Sequence, residues 1–98
     1  MGLKIRYTPR AKETYKAIYQ KVKGQYGKRI ADQFESRVDK VASLVAEYPL
    51  MFKAFPIDES IRIGLVSKQT SVFYRVTKTE VHILFFWDNR QDPEKLDL

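Results

Sequence analysis

Cysteine is absent from this 98-residue chain and histidine occurs once, as His82. The first absence excludes disulfides, thiolate nucleophiles and cysteine-based zinc sites. The second leaves no histidine cluster for a transition metal and no two-histidine relay, so neither metal nor cofactor is expected. Glycine is scarce, and Gly24-Gln25-Tyr26-Gly27 lacks the spacing and the following Lys-Ser/Thr of a phosphate-binding loop. No His-Glu-x-x-His occurs, and no serine stands in a recognisable nucleophile context. No stretch approaches the ~20 apolar residues of a membrane helix, and Met1 to Arg10 has no apolar signal core. The expected location is the cytoplasm, with no membrane partner. Repeats and Gly/Ser linkers are missing too, so residues 1–98 read as one domain.

Charge is unevenly distributed. Residues 1–48 carry eleven basic and five acidic side chains, whereas residues 49–98 carry seven of each. A basic half suits a polyanionic surface or an acidic partner, because such a potential steers association. The structural alternative is a lysine-rich, solvated helix face.

Leu3, Ile5 and Tyr7 alternate with Lys4 and Arg6, the period of a half-buried strand. Thr8-Pro9 reads as a helix start, with threonine as cap and proline in the first turn. Ala11, Tyr15, Ile18, Tyr19, Val22 and Tyr26 recur at helical spacing up to Gly24 and Gly27. Ile30, Phe34, Val38, Val41, Val45 and Tyr48 form a second stripe, stopped by Pro49. Residues 49–60 read as a loop. Three alternating runs follow, around 61–65, 72–76 and 81–87, joined by short polar turns that allow antiparallel pairing. The last run is apolar on both alternating sets, which predicts a central strand covered on both faces. The order β-α-α-β-β-β predicts an α+β domain: a small antiparallel sheet with a helix hairpin on one face and the other face open.

Arg62 and Arg75 each interrupt an apolar strand, and both are expected on the open face, where two guanidiniums can grip phosphates bidentately. The structural alternative is pairing with Asp58, Glu59 or Glu80. Phe73, Phe86 and Trp87 in the same region suit either base stacking or core packing. Trp87-Asp88-Asn89-Arg90-Gln91-Asp92-Pro93 is dense in polar groups directly after a strand. There Asp88 and Asn89 either cap a turn or join Arg90 in a site. His82 reads as a surface residue near a turn.

The chain resembles the RelE/ParE superfamily of toxins from type II toxin–antitoxin systems. The likeness rests on the opening strand into Thr8-Pro9-Arg10-Ala11, the hairpin ending at Tyr48-Pro49, and Val72-Phe73-Tyr74-Arg75-Val76. It rests most on Phe86-Trp87-Asp88-Asn89-Arg90, which is similar to the closing motif of the ParE-like, plasmid stabilisation branch. The resemblance implies an acidic cognate antitoxin as partner. It implies as target either DNA gyrase, for ParE-type members, or messenger RNA on the ribosome, for RelE-type ribonucleases; an inactive antitoxin-binding module is a third possibility. Candidates for catalysis are Arg62, Arg75, Asp88 and Arg90. Candidates for target binding are Arg62, Arg75, Trp87, Asn89 and Arg90. Where nucleases of the superfamily carry histidine or tyrosine, this chain has Asp88-Asn89-Arg90, which leans toward the ParE-like branch.

Overall fold

The computed structural model describes residues 2–96. Strand β1 (Lys4–Tyr7) leads into helix α1 (Pro9–Tyr26), helix α2 (Lys28–Glu47), and strands β2 (Ile61–Ser67), β3 (Thr70–Val76) and β4 (Glu80–Asp88), followed by a 3-10 turn at Pro93–Lys95. Thr8 does what its position predicts: its Oγ1 accepts from the Ala11 N–H at 3.0 Å. The same hydroxyl donates to the Leu84 carbonyl at 2.7 Å, tying the cap to β4. Helix α1 runs through Gly24, and the break falls at Gly27, whose φ of +92° places it where side chains are strained. The polypeptide turns there and α2 lies back along α1.

The sheet order is β1-β4-β3-β2. β2, β3 and β4 pair antiparallel as expected, but β1 joins β4 in parallel, so the sheet is mixed and not wholly antiparallel. The helix hairpin between β1 and the rest is the cause. It supplies the long crossover that a parallel neighbour requires. β4 is thereby central, as its two apolar sets demand.

The principal core lies between helices and sheet, with Ala11, Phe34, Val38, Val45, Val72, Tyr74, Val81, Ile83 and Phe86 buried there. A second, smaller cluster lies on the opposite sheet face. Ile61, Phe73 and Phe85 are buried in it, and Phe55, Ile63, Leu84, Trp87 and Leu96 pack against them. The outer face is therefore partly covered, by the 49–60 loop and the C-terminal turn and not by helices. Phe55 edges onto Phe73, and Phe73 stacks on Phe85 with centroids 4.4 Å apart.

Two irregularities decide which side chains face where. The β3–β4 register shifts between Phe73 and Tyr74, leaving Leu84 of β4 as an extra residue. A bulge of this kind reverses the alternation beyond it. Val81 and Ile83 face the helices, but so does Phe86, while Phe85 and Trp87 face outward. In β2, Ile61 and Ile63 face the outer cluster. Arg62 and Gly64 face the helix side, where Phe52 of the loop fills the space that glycine leaves.

Candidate functional site

Among the described residues, the buried polar side chains are Thr70, Ser71 and Asp88, gathered at one end of the β3–β4 pair beside the exposed Asn89 and Arg90. Asp88 is 3% exposed, at the end of an apolar strand. Its Oδ1 accepts from the Arg90 N–H at 2.9 Å and from Arg90 Nε at 3.0 Å. Its Oδ2 accepts from Arg90 Nη2 at 3.0 Å and from Lys21 Nζ of α1 at 3.1 Å. The Arg90 side-chain bonds, with smaller help from its backbone N–H and from Lys21, hold the Asp88 carboxyl far below the ordinary carboxylate range, against the opposing effect of burial. Arg90 is correspondingly pushed up. Asn89 is a structural clasp. Its Oδ1 accepts from Ser71 Oγ at 2.9 Å, and its N–H donates to the Gln69 carbonyl at 2.7 Å.

Beside this network the helix hairpin overshoots the sheet. The apolar stripes predicted for both helices continue to the hairpin tip, but the sheet does not follow, so Tyr26 and Ile30 are exposed at 61% and 40%. The result is a groove of about 310 Å³ with Ile18, Val22, Tyr26, Ile30 and Phe34 along it. Lys21, Arg37 and Arg90 line it as cations, and Gln33, Ser67, Gln69 and Thr70 complete the polar part. Among the described residues no carboxylate lines it, although Asp88 lies behind Lys21 and Arg90 and pairs with both. An apolar trough lined by cations fits a segment with apolar anchors and acidic flanks.

The expected arginine pair is not a pair. Arg62 lies opposite Tyr74 and Arg75 opposite Ile61, so the two point to different faces. Arg62 turns toward the helix side and donates to the Phe52 carbonyl at 2.6 Å, holding the loop against the sheet edge. That contact sets it apart from Arg75 and from the Asp88–Arg90 network. Arg75 is exposed on the outer face, and its recorded hydrogen bond is a long one, 3.4 Å to Ser60 Oγ. Trp87 is half-buried in the outer cluster, away from Asp88 and Arg90. Phe73 and Phe86 are core residues. Of the sequence-based candidates, the fold brings together only Asp88, Asn89 and Arg90. Lys21, Arg37 and the tip residues Tyr26 and Ile30 were not singled out as functional; the overlong helix stripe was their signal.

A family model for the ParE toxin of type II toxin–antitoxin systems, parDE, matches residues 5–93. The chain belongs to the ParE toxin family. Among solved structures, it is similar to a chain of the chromosomal ParDE toxin–antitoxin system from P. aeruginosa, with a TM-score of 0.74 at 17% identity, covering 88% of this chain and 95% of that one. It is also similar to a chain of the E. coli DinJ–YafQ toxin–antitoxin complex, with a TM-score of 0.64 at 9% identity, covering 92% and 96% respectively. At these identities the likeness is one of fold alone. No curated protein matches the sequence. Among the described residues, no helix is long and apolar enough to cross a membrane, and no cluster of metal-ligating side chains occurs.

Proposed function

We propose that this ParE-family chain inhibits DNA gyrase in the cytoplasm and is neutralised by a cognate antitoxin, whose acidic, apolar-anchored segment occupies the groove at the hairpin tip. The observation that carries the choice of gyrase is the state of Asp88. A general base must be free to take up a proton near neutral pH. Asp88 is committed to Arg90 and Lys21 and its affinity for protons is strongly lowered. Asn89, its neighbour, cannot titrate. A strand end so arranged binds and orients, and it offers no acid–base pair for ribose 2′-hydroxyl attack on a phosphate.

For the antitoxin, the support is complementarity: exposed Tyr26 and Ile30 stand beside Lys21, Arg37 and Arg90, whose three positive charges exceed the single Asp88 carboxylate paired with Lys21 and Arg90. The two solved structures described above come from toxin–antitoxin systems.

The test is a supercoiling assay with purified gyrase, run beside transcript mapping after induction of the chain in a bacterial host. Loss of supercoiling with intact transcripts supports the proposal. Messenger breaks with normal supercoiling replace gyrase by ribosome-dependent RNA cleavage. Growth without arrest, together with tight antitoxin binding, reduces the chain to a binding module. Ile30→Asp is expected to abolish capture of the antitoxin while leaving gyrase inhibition intact.

A further inference from the structure

The outer sheet face carries a second cationic surface, separate from the groove. Lys4 and Arg6 alternate with the core residues Ile5 and Tyr7, and so face outward from β1. Arg6 is in register with His82 of β4, and His82 with Arg75 of β3, so the three stand in one row across neighbouring strands. With strands about 4.8 Å apart, the row spans roughly 10 Å. Arg10, from the first turn of α1, reaches over the same face and lays its guanidinium 4.0 Å above the Phe85 ring.

The opposing acid is Glu80, in register with Lys4. Its carboxylate accepts from Arg6 Nε and, at 2.9 Å, from His82 Nε2. These bonds depress the Glu80 carboxyl and keep both partners upright on the sheet. Asp58, the nearest acid to Arg75 on the loop, is engaged by the Ser60 N–H and hydroxyl at 3.0 and 2.7 Å. Lys4, Arg6, Arg10 and Arg75 against Glu80 and Asp58 leave an excess of two positive charges.

We infer that this row binds the phosphodiester backbone of a nucleic acid. Guanidiniums predominate among its cations, and their planar forks match phosphate oxygens. The aromatic rings beneath are buried, so they stiffen the platform and do not stack on bases. Leu65 is exposed on β2, at the sheet edge away from β1, and Trp87 of β4 is half-buried. No large apolar side chain exposed at the surface stands within the Arg6–His82–Arg75 row itself, so the row lacks the anchors of a protein–protein interface. A flat, anchor-free, arginine-rich surface fits phosphates, not a folded partner. The inference goes beyond gyrase inhibition and does not depend on it.

The test uses the purified chain and fluorescein-labelled oligonucleotides of one sequence, as duplex DNA, single-stranded DNA and RNA, with anisotropy read from 50 to 200 mM salt. With about two phosphates neutralised, duplex affinity should fall about 12-fold over that range, from a slope of roughly −0.9 per contact. Arg6→Gln/Arg75→Gln should flatten the slope by about 2, and Lys21→Gln/Arg37→Gln in the groove should leave it unchanged. Circular dichroism melting of each variant verifies folding. Preference among the three oligonucleotides identifies the natural source of the backbone. No binding at 50 mM salt, or equal losses from row and groove variants, overturns the inference, because the latter outcome means that net charge alone is responsible.

Discussion

Replacing Asp88 by asparagine keeps its volume and removes its charge, which isolates the ion-pair network at the end of β4. The carboxylate is buried and accepts four hydrogen bonds, three of them from the side chains of Arg90 and Lys21. Removing one partner of a buried pair typically costs about 3–5 kcal/mol. Here the cation side chains are each 47% exposed and regain water when freed, so the cost lies lower, at about 2–3 kcal/mol. For a domain of this size that is a fall in Tm of roughly 10–20 °C.

The same network fixes the pH dependence. Asp88 titrates in the folded state well below its unfolded value of about 3.9. Its contribution is therefore fully present above that value and is lost as pH falls toward the folded one. The stability gap between wild type and Asp88→Asn should be constant from pH 7 to about pH 5 and shrink steadily below pH 4. Urea unfolding followed by far-ultraviolet circular dichroism, and by the fluorescence of the single tryptophan, Trp87, measures both. A gap under about 0.5 kcal/mol at pH 7, or one that persists undiminished at pH 2, would refute this account of the strand end.

Thr8→Ala removes the α1 cap and the tie to the Leu84 carbonyl together, and should lower stability by about 1–2 kcal/mol, with Thr8→Ser recovering most of it in thermal melts. Tyr74→Phe deletes the buried hydroxyl that donates to the Pro49 carbonyl at 2.9 Å, and should cost about 1 kcal/mol in urea titrations. At Gly64, an added Cβ would lie 2.7 Å from the Phe52 ring, so Gly64→Ala should cost about 1–3 kcal/mol. In a double-mutant cycle, Phe52→Leu should recover part of that loss, and strict additivity would show that the ring yields freely.

The element order was legible because each segment's apolar period is clean. Thr8-Pro9, Gly27 and Pro49 also punctuate the chain where the helices start, turn and stop. What strand periodicity cannot carry is the phase of one strand against another. In β2 the apolar set Ile61 and Ile63 suggested a helix-facing side, and so sent Arg62 outward beside Arg75. The fold buries apolar side chains on both sheet faces, so an alternating strand has two acceptable orientations, and the choice was made by Phe52. A loop aromatic that fills the space over Gly64 has no local sequence signature linking it to β2. The bulge at Leu84 is equally hidden: it turns Phe86 inward and Trp87 outward without interrupting an apolar run.

The candidate site follows the same physics. Asp88, Asn89 and Arg90 were readable because they are contiguous and polar after an apolar strand. Lys21 joins them only through the packing of α1 on β4, and Arg37 shares their groove only because α2 returns along α1. The outer row of Arg6, His82 and Arg75 needed the parallel placement of β1 against β4, which the residues of β1 alone do not specify. Distant residues become a surface through strand register. The proposed row crosses β1, β4 and β3 on the outer sheet face, whereas Tyr26 and Ile30 stand at the hairpin tip, so a partner that fills the groove would leave the row free.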